Sequence, residues 1–210
     1  MKKKEKDTKG RISIDQMRDL LNKKAGAIVA YSLEETNPTD VEDWIPTGSR
    51  WLDSVICRGK LAGIPMGKIV ELAGLEAAGK SYMAAQIAAN AQKKGVDVIY
   101  FDSESAIASD FMTNVGVDIS TLLYVQAKSV EFVLETVEEL LANNQNKMLF
   151  IWDSIAFTPT ETDVEGDFDP QSSMAVKPRI LSKAFSKLIQ PLANSGSTLL
   201  CLNQLKTNIT

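Results

Sequence analysis

Histidine is absent from this chain, cysteine occurs twice, and no apolar stretch is long. Without an imidazole there is no Ser-His-Asp or Cys-His nucleophile. Cys57 and Cys201 lie too far apart in sequence to suggest a zinc site. Both thiols read as small buried apolar residues of a reducing, cytoplasmic compartment. The longest apolar runs, MLFIW and TLLCL, fall far short of the ~18 residues that carry a helix across a bilayer, so no membrane partner is expected. The basic start, MKKKEKDTKGR, has no apolar segment behind it and does not read as a secretory signal. Charge of one sign is lacking too. With 23 basic and 27 acidic residues the formal net charge is −4, so no global basic field announces a nucleic acid, although a local groove can still be basic.

What is present is the texture of one large α/β domain behind a short appendage. Residues 1–40 read as a basic tail, an amphipathic helix with Ile14, Met17, Leu20 and Leu21 on one face, a brief strand over 27–33 and a polar linker. From residue 41 onward, apolar β-branched segments alternate with helical ones, as in a mainly parallel sheet flanked by helices. Five strands are expected: GKIVELAG, VDVIYFDSE, TLLYVQA, KMLFIWDS and STLLCLNQ. The intervening helices are expected over about 80–94, 107–115, 130–143 and 175–194, and residues 158–173 form one long irregular connection.

The chemistry starts with GLEAAGKS, residues 74–81, which satisfies G-x-x-x-x-G-K-[ST] between an apolar strand and a helix. Gly74 and Gly79 let the backbone fold back so that the amides of Leu75, Glu76, Ala77 and Ala78 can line one concavity at a helix N-terminus. Lys80 offers a compact positive charge to the β- and γ-phosphates, and Ser81 a hydroxyl to Mg²⁺. Tyr82 completes the nucleotide-binding segment. Asp153 closes the buried run KMLFIWD at a strand's carboxyl end and would hold the metal through water. Asp102 and Glu104, two apart in YFDSES and on one face of an extended chain, are both candidates for the base that activates water. Asn203 and Gln204 end the last strand, where a buried amide can sense a γ-phosphate. The alternating acids Asp163, Glu165, Asp167 and Asp169 suggest calcium but fail the EF-hand pattern. Gly166 falls at the fourth position rather than the sixth, and Met174 at the twelfth.

With these motifs in order, the chain resembles the RecA family of recombinases. The resemblance rests on IPTGSRWLDSVI, GIPMGKIVELAGLEAAGKS, YFDSES, GVDISTLLYVQ, FIWDSIAFTPTETDVEG and LLCLNQLK, and covers about residues 45–206. It implies a P-loop NTPase core with strand order 3-2-4-5-1, ATP and Mg²⁺ as cofactors, and a DNA-dependent ATPase. It also implies self-association into a helical filament, with pairing and strand exchange between single- and double-stranded DNA. Under it Glu104 activates the attacking water, and Gln204 senses the γ-phosphate. Residues 161–173 become a first DNA loop, and a second begins at Lys206. Arg179 contacts DNA phosphate, and residues 27–33 add to a neighbouring protomer's sheet.

Three positions depart from the family pattern. Phe111 stands where a Tyr stacks near adenine, Ala108 where an Asp contacts it, and Ser186 where an Arg contacts DNA, with Lys183 and Lys187 as substitutes. The family pattern continues past Thr210, so the chain is expected to be a fragment that binds nucleotide more readily than it hydrolyses it. A ring helicase on the same core, and a non-hydrolysing mediator that binds a full-length recombinase, are the rival readings.

Overall fold

A computed structural model describes residues 12–32, 34, 40–166 and 175–205. The chain divides into two compact units, Met1–Asp40 and Val41–Thr210.

In the first unit α1 (Ile14–Ala25) begins at a capping box. Ser13 Oγ accepts the Gln16 N–H, and Gln16 Oε1 accepts the Ser13 N–H in return. None of its residues is buried, and Ile14, Met17, Leu20 and Leu21 all remain exposed. Within this chain residues 27–32 of the strand expected over 27–33 join no ladder among the described residues, and Leu33 lies outside them. The physical reason is local. Asn22 Oδ1 accepts the N–H groups of Val29 and Ala30, each at 2.8 Å, while Asn22 Nδ2 donates to the Ala30 carbonyl. One side chain thus satisfies three backbone groups of this segment.

The second unit opens with β1 (Trp44–Ile45), α2 (Arg50–Ile56) and β2 (Ile64–Pro65), the two strands pairing antiparallel. Gly63 precedes β2 at φ +109°, and a Cβ there would lie 2.0 Å from the Ile45 carbonyl oxygen. Only glycine lets the two backbones approach so closely.

The remaining strands are β3 (Ile69–Gly74), β4 (Asp97–Asp102), β5 (Leu122–Gln126), β6 (Met148–Asp153) and β7 (Thr198–Gln204). They form one parallel sheet in the order β3-β7-β6-β4-β5. That is the order expected from the resemblance, with the strand of Gly74 at one edge. Each crossover passes through a helix: α3 (Lys80–Lys93), α4 (Ser109–Val115), α5 (Val130–Asn143) and, before β7, α6 (Glu161–Glu165) and α7 (Val176–Ser195).

All six residues of β6 are buried, because it lies between two strands and beneath helices on both faces. Such strands read as continuous apolar runs. The period-two alternation sorts their side chains into two cores. Val98, Tyr100, Leu149, Ile151, Leu200 and Leu202 pack with the buried alanines of α3. Ile99, Phe101, Phe150, Trp152, Leu199 and Cys201 pack with Val133 and Val137 of α5 and Leu188 and Leu192 of α7. Residues Ala84, Ala85, Ala88, Ala89 and Ala91 keep α3 thin where it lies on the sheet. Cys201 is buried as expected, and burial pushes its thiol pKa up. Cys57 is only half-buried, its Sγ donating to the Gly63 carbonyl.

The connection after β6 is more ordered than its polar composition suggests. Thr160 and Asp163 form a second capping box at the start of α6, and Trp152 Nε1 donates to the buried Thr158 hydroxyl at 2.8 Å.

Candidate nucleotide site

The phosphate loop leaves β3 at Gly74 and enters α3 at Lys80. Its turn needs two left-handed residues, Ala77 at φ 55° and Gly79 at φ 84°. Gly79 is the N-cap of α3 and brings no side chain to cap it, so the first-turn amides of the helix have no side-chain acceptor there. Leu75, Glu76, Ala77, Ala78 and Gly79 are exposed, whereas Gly74, Lys80 and Ser81 are half-buried. Lys80 Nζ folds back over the loop and donates to the carbonyls of Leu75 (2.8 Å) and Gly74 (3.2 Å). The same Gly74 carbonyl accepts the N–H of Leu205, just beyond β7. Gln204 pairs in register with Gly74, which sets the end of β7 beside the start of the loop. Asn203 instead reaches Glu71 on the edge strand, Nδ2 to Oε1 at 2.8 Å. Consecutive strand residues face opposite ways, so Gln204 and Asn203 are separated.

Asp102 and Asp153 end neighbouring strands in register, and both are buried. Asp102 is saturated: Oδ1 accepts the Glu104 N–H, and Oδ2 accepts the Ile107 N–H and the Tyr124 hydroxyl. These bonds tie down the segment after β4. The two-residue spacing did not put Asp102 and Glu104 on one face, because β4 ends at Asp102 and the chain bends through Ser103 to an exposed Glu104. Asp153 Oδ2 accepts the Tyr100 hydroxyl at 2.8 Å. Burial together with that neighbouring carboxyl drives the Tyr100 phenol pKa up. Ser154 Oγ reaches Glu104 Oε1 at 3.5 Å. Loss of water around Glu104, then the nearby Asp153, Asp102 and Glu76 carboxyls, raise its pKa above the ordinary range, and Ser154 partly offsets this.

Tyr82 on α3 and Phe111 on α4 meet with ring centroids 6.3 Å apart and planes tilted by 57°. Arg179 and Lys183 lie elsewhere, on exposed positions of α7, in the helical layer opposite α3. Lys187, the other expected substitute, is also exposed and pairs with Glu138 of α5. Ser186 turns its hydroxyl onto the Ser182 carbonyl. Lys206 and residues 167–173 of the first expected DNA loop lie outside the described residues.

No group of three or more Cys, Asp or Glu side chains among the described residues could hold a metal unaided. Ser81 and Asp153 are the side chains that would hold a Mg²⁺ brought in with a nucleotide, an ion that keeps several waters and takes phosphate oxygens. The phosphate cradle fits its ligand as well: a turn that needs Gly79, an uncapped helix start and one lysine folded over it. Tyr100, Ser103, Ser154 and Tyr124 escaped the sequence reading. Of these Tyr100 left a trace, as a hydroxyl within an otherwise apolar buried strand two residues before Asp102.

This strand order, with a phosphate loop after the edge strand and a carboxyl at the end of the central one, defines a P-loop NTPase core. The family model for the RecA N-terminal domain matches residues 13–210. Protein RecA of Bifidobacterium longum is 33% identical over 207 residues, which cover 99% of this chain and 51% of the relative. The corresponding proteins of Nocardia farcinica and Streptomyces coelicolor are 34% and 33% identical over 184 residues, covering 88% of this chain and 51% and 47% of theirs. The chain belongs to the RecA family, and it spans about half the length of the curated relatives it matches.

Proposed function

We propose that the chain carries the ATP-binding core of a DNA-dependent ATPase that acts as a recombinase, assembling as a helical filament on single-stranded DNA and exchanging strands with a duplex. What supports this reading is that Lys80 and Gln204 meet at Gly74 while Asp153 and Glu104 lie at the same carboxyl edge of the parallel sheet, with Glu76 of the loop near enough to act on Glu104. Loop amides and Lys80 bind the polyphosphate, and Tyr82 with Phe111 offers an aromatic wall to the base. Ser81 and Asp153 hold the metal, which when bound neutralises charge on the β- and γ-oxygens. Glu104 takes the proton of the water that attacks the γ-phosphorus as the bond to the β-bridging oxygen breaks, leaving ADP and phosphate. Its raised pKa suits a general base better than an ordinary carboxyl would. Gln204 senses the γ-phosphate from beside Gly74, and Arg179, Lys183 and Lys206 meet DNA phosphates.

Calorimetry of magnesium-ATP binding tests the core of this. Lys80→Ala is expected to weaken affinity on the order of 100-fold, in line with losing a charged phosphate contact. Equal affinity in the variant and the parent would remove the loop from nucleotide binding.

A further inference from the structure

We propose that Tyr100 is a positioning residue for the metal, its phenol holding one oxygen of Asp153 so that the other is left to carry the metal's water shell. The inference rests on reading the site as one for a magnesium nucleotide. Tyr100 is wholly buried in β4, on the sheet face that α3 covers, and its hydroxyl donates to Asp153 Oδ2 at 2.8 Å. Its register partner on β6 is Ile151, so the ring runs diagonally along the neighbouring strand to reach residue 153. Long aromatic side chains bridge such diagonal neighbours readily.

Asp153 is 7% exposed, yet its side chain accepts no other hydrogen bond from the described residues. The contrast with Asp102, which spreads three donors over both its oxygens, is direct. A carboxyl group turns easily about its terminal torsion. Pinning Oδ2 removes that freedom and fixes the plane in which Oδ1 stands. The arrangement binds no metal by itself. It presents one carboxyl oxygen, already oriented, to an ion that tolerates little distortion of its octahedron.

A purely structural role would also account for a satisfied buried phenol, so the test must separate the two. Tyr124 provides the control, because it too donates to a buried carboxyl, Asp102 Oδ2 at 3.0 Å. Binding of a fluorescent, non-hydrolysable ATP analogue to the full chain is measured across a Mg²⁺ series. Tyr100→Phe is expected to need about tenfold more Mg²⁺ for half-maximal binding, the scale of one hydrogen bond to a charged group. Its affinity without metal should be unchanged, and Tyr124→Phe should keep the parent's Mg²⁺ midpoint. An unmoved midpoint in Tyr100→Phe, or equal shifts in both variants, would overturn the proposal. A parent chain that binds no magnesium nucleotide overturns the underlying reading as well, and the parent curve alone reveals it.

Should Tyr100→Phe fail to fold, fluorine NMR of the fluorotyrosine-labelled parent reads the same contact. The chain has four tyrosines. Once Tyr31, Tyr82 and Tyr124 are assigned by substitution, the remaining resonance should shift when Mg²⁺ joins the nucleotide-loaded protein. A resonance that does not move counts against the proposal.

Discussion

The strand-end site and the outer face of α7 are both charged, and they are built in opposite ways. At the ends of β3, β4 and β6 the polar groups are locked. Asp102 accepts three hydrogen bonds, Asp153 accepts a phenol, and Lys80 lies over two carbonyls. On α7, Arg179 and Lys183 stand exposed one turn apart and form no ion pair among the described residues. The difference follows from what each surface is proposed to meet. Stabilising a charge that develops at one point needs donors and acceptors fixed before the reaction. Contact with a polyanion needs only positive charge within reach of phosphates, and mobile side chains supply that.

Glu104 is an exposed carboxyl at the locked end, and replacing it should give the largest effect. Glu104→Gln is expected to slow DNA-stimulated ATP hydrolysis by about 10²- to 10³-fold, the usual contribution of a positioned base. ATP affinity should stay close to that of the parent. In the parent, hydrolysis should fall as pH drops through the raised pKa of Glu104, since the protonated acid accepts no proton. The stability sign runs the other way. A carboxyl whose folded pKa lies above its unfolded one makes the folded state bind more protons, so its contribution to stability declines as pH rises through that interval. Glu104→Gln should therefore melt slightly higher than the parent at neutral pH, which calorimetric melting at two pH values can check. Equal hydrolysis by the two proteins would mean that the water is activated elsewhere.

Asp102 sharpens the comparison from within the site. Asp102→Ala deprives two backbone amides and the Tyr124 hydroxyl of their acceptor in a buried place. A loss on the order of 3 kcal/mol in urea unfolding is expected, because each stranded donor keeps its desolvation cost. Hydrolysis should fall as well, through loosening of the segment that carries Glu104. A variant as stable as the parent would show that this corner is less tightly built than its hydrogen bonds indicate.

The two residues also mark how far the sequence could be read. Strands buried on both faces announce themselves as apolar runs, and the phosphate loop carries its own spacing, so β3, β4, β6, β7 and α3 were all legible. The order in which strands pair was not in those runs and came with the family resemblance. Asp102 and Glu104 look equivalent on paper, because spacing assigns them to one face only if the strand continues. The strand ends at Asp102, which accepts the Glu104 N–H, and the two carboxyls part there. Residues 27–32 have strand-like composition, but pairing depends on a partner, and within this chain Asn22 meets Val29 and Ala30 instead. Similarly, the engagement of Lys187 by Glu138 joins residues 49 apart in sequence, and no periodicity reports such a pair.

That pair gives the α7 face its control and the smallest expected effect. Arg179→Ala and Lys183→Ala should each leave magnesium-ATP binding intact and weaken single-stranded DNA binding in a salt-dependent way. Each should lower the slope of log affinity against log salt by about 0.7, the counterion release of one phosphate contact on a single strand. Lys187→Ala should leave that slope alone, because its charge is already matched by Glu138 at an exposed site. Its cost in stability should stay within about 1 kcal/mol, as for other surface ion pairs. Slopes equal to the parent's in all three variants would show that α7 takes no part in contacting DNA. A slope lowered most by Lys187→Ala would mean that the Glu138 pair opens on binding, extending the mobile basic surface a turn further along the helix.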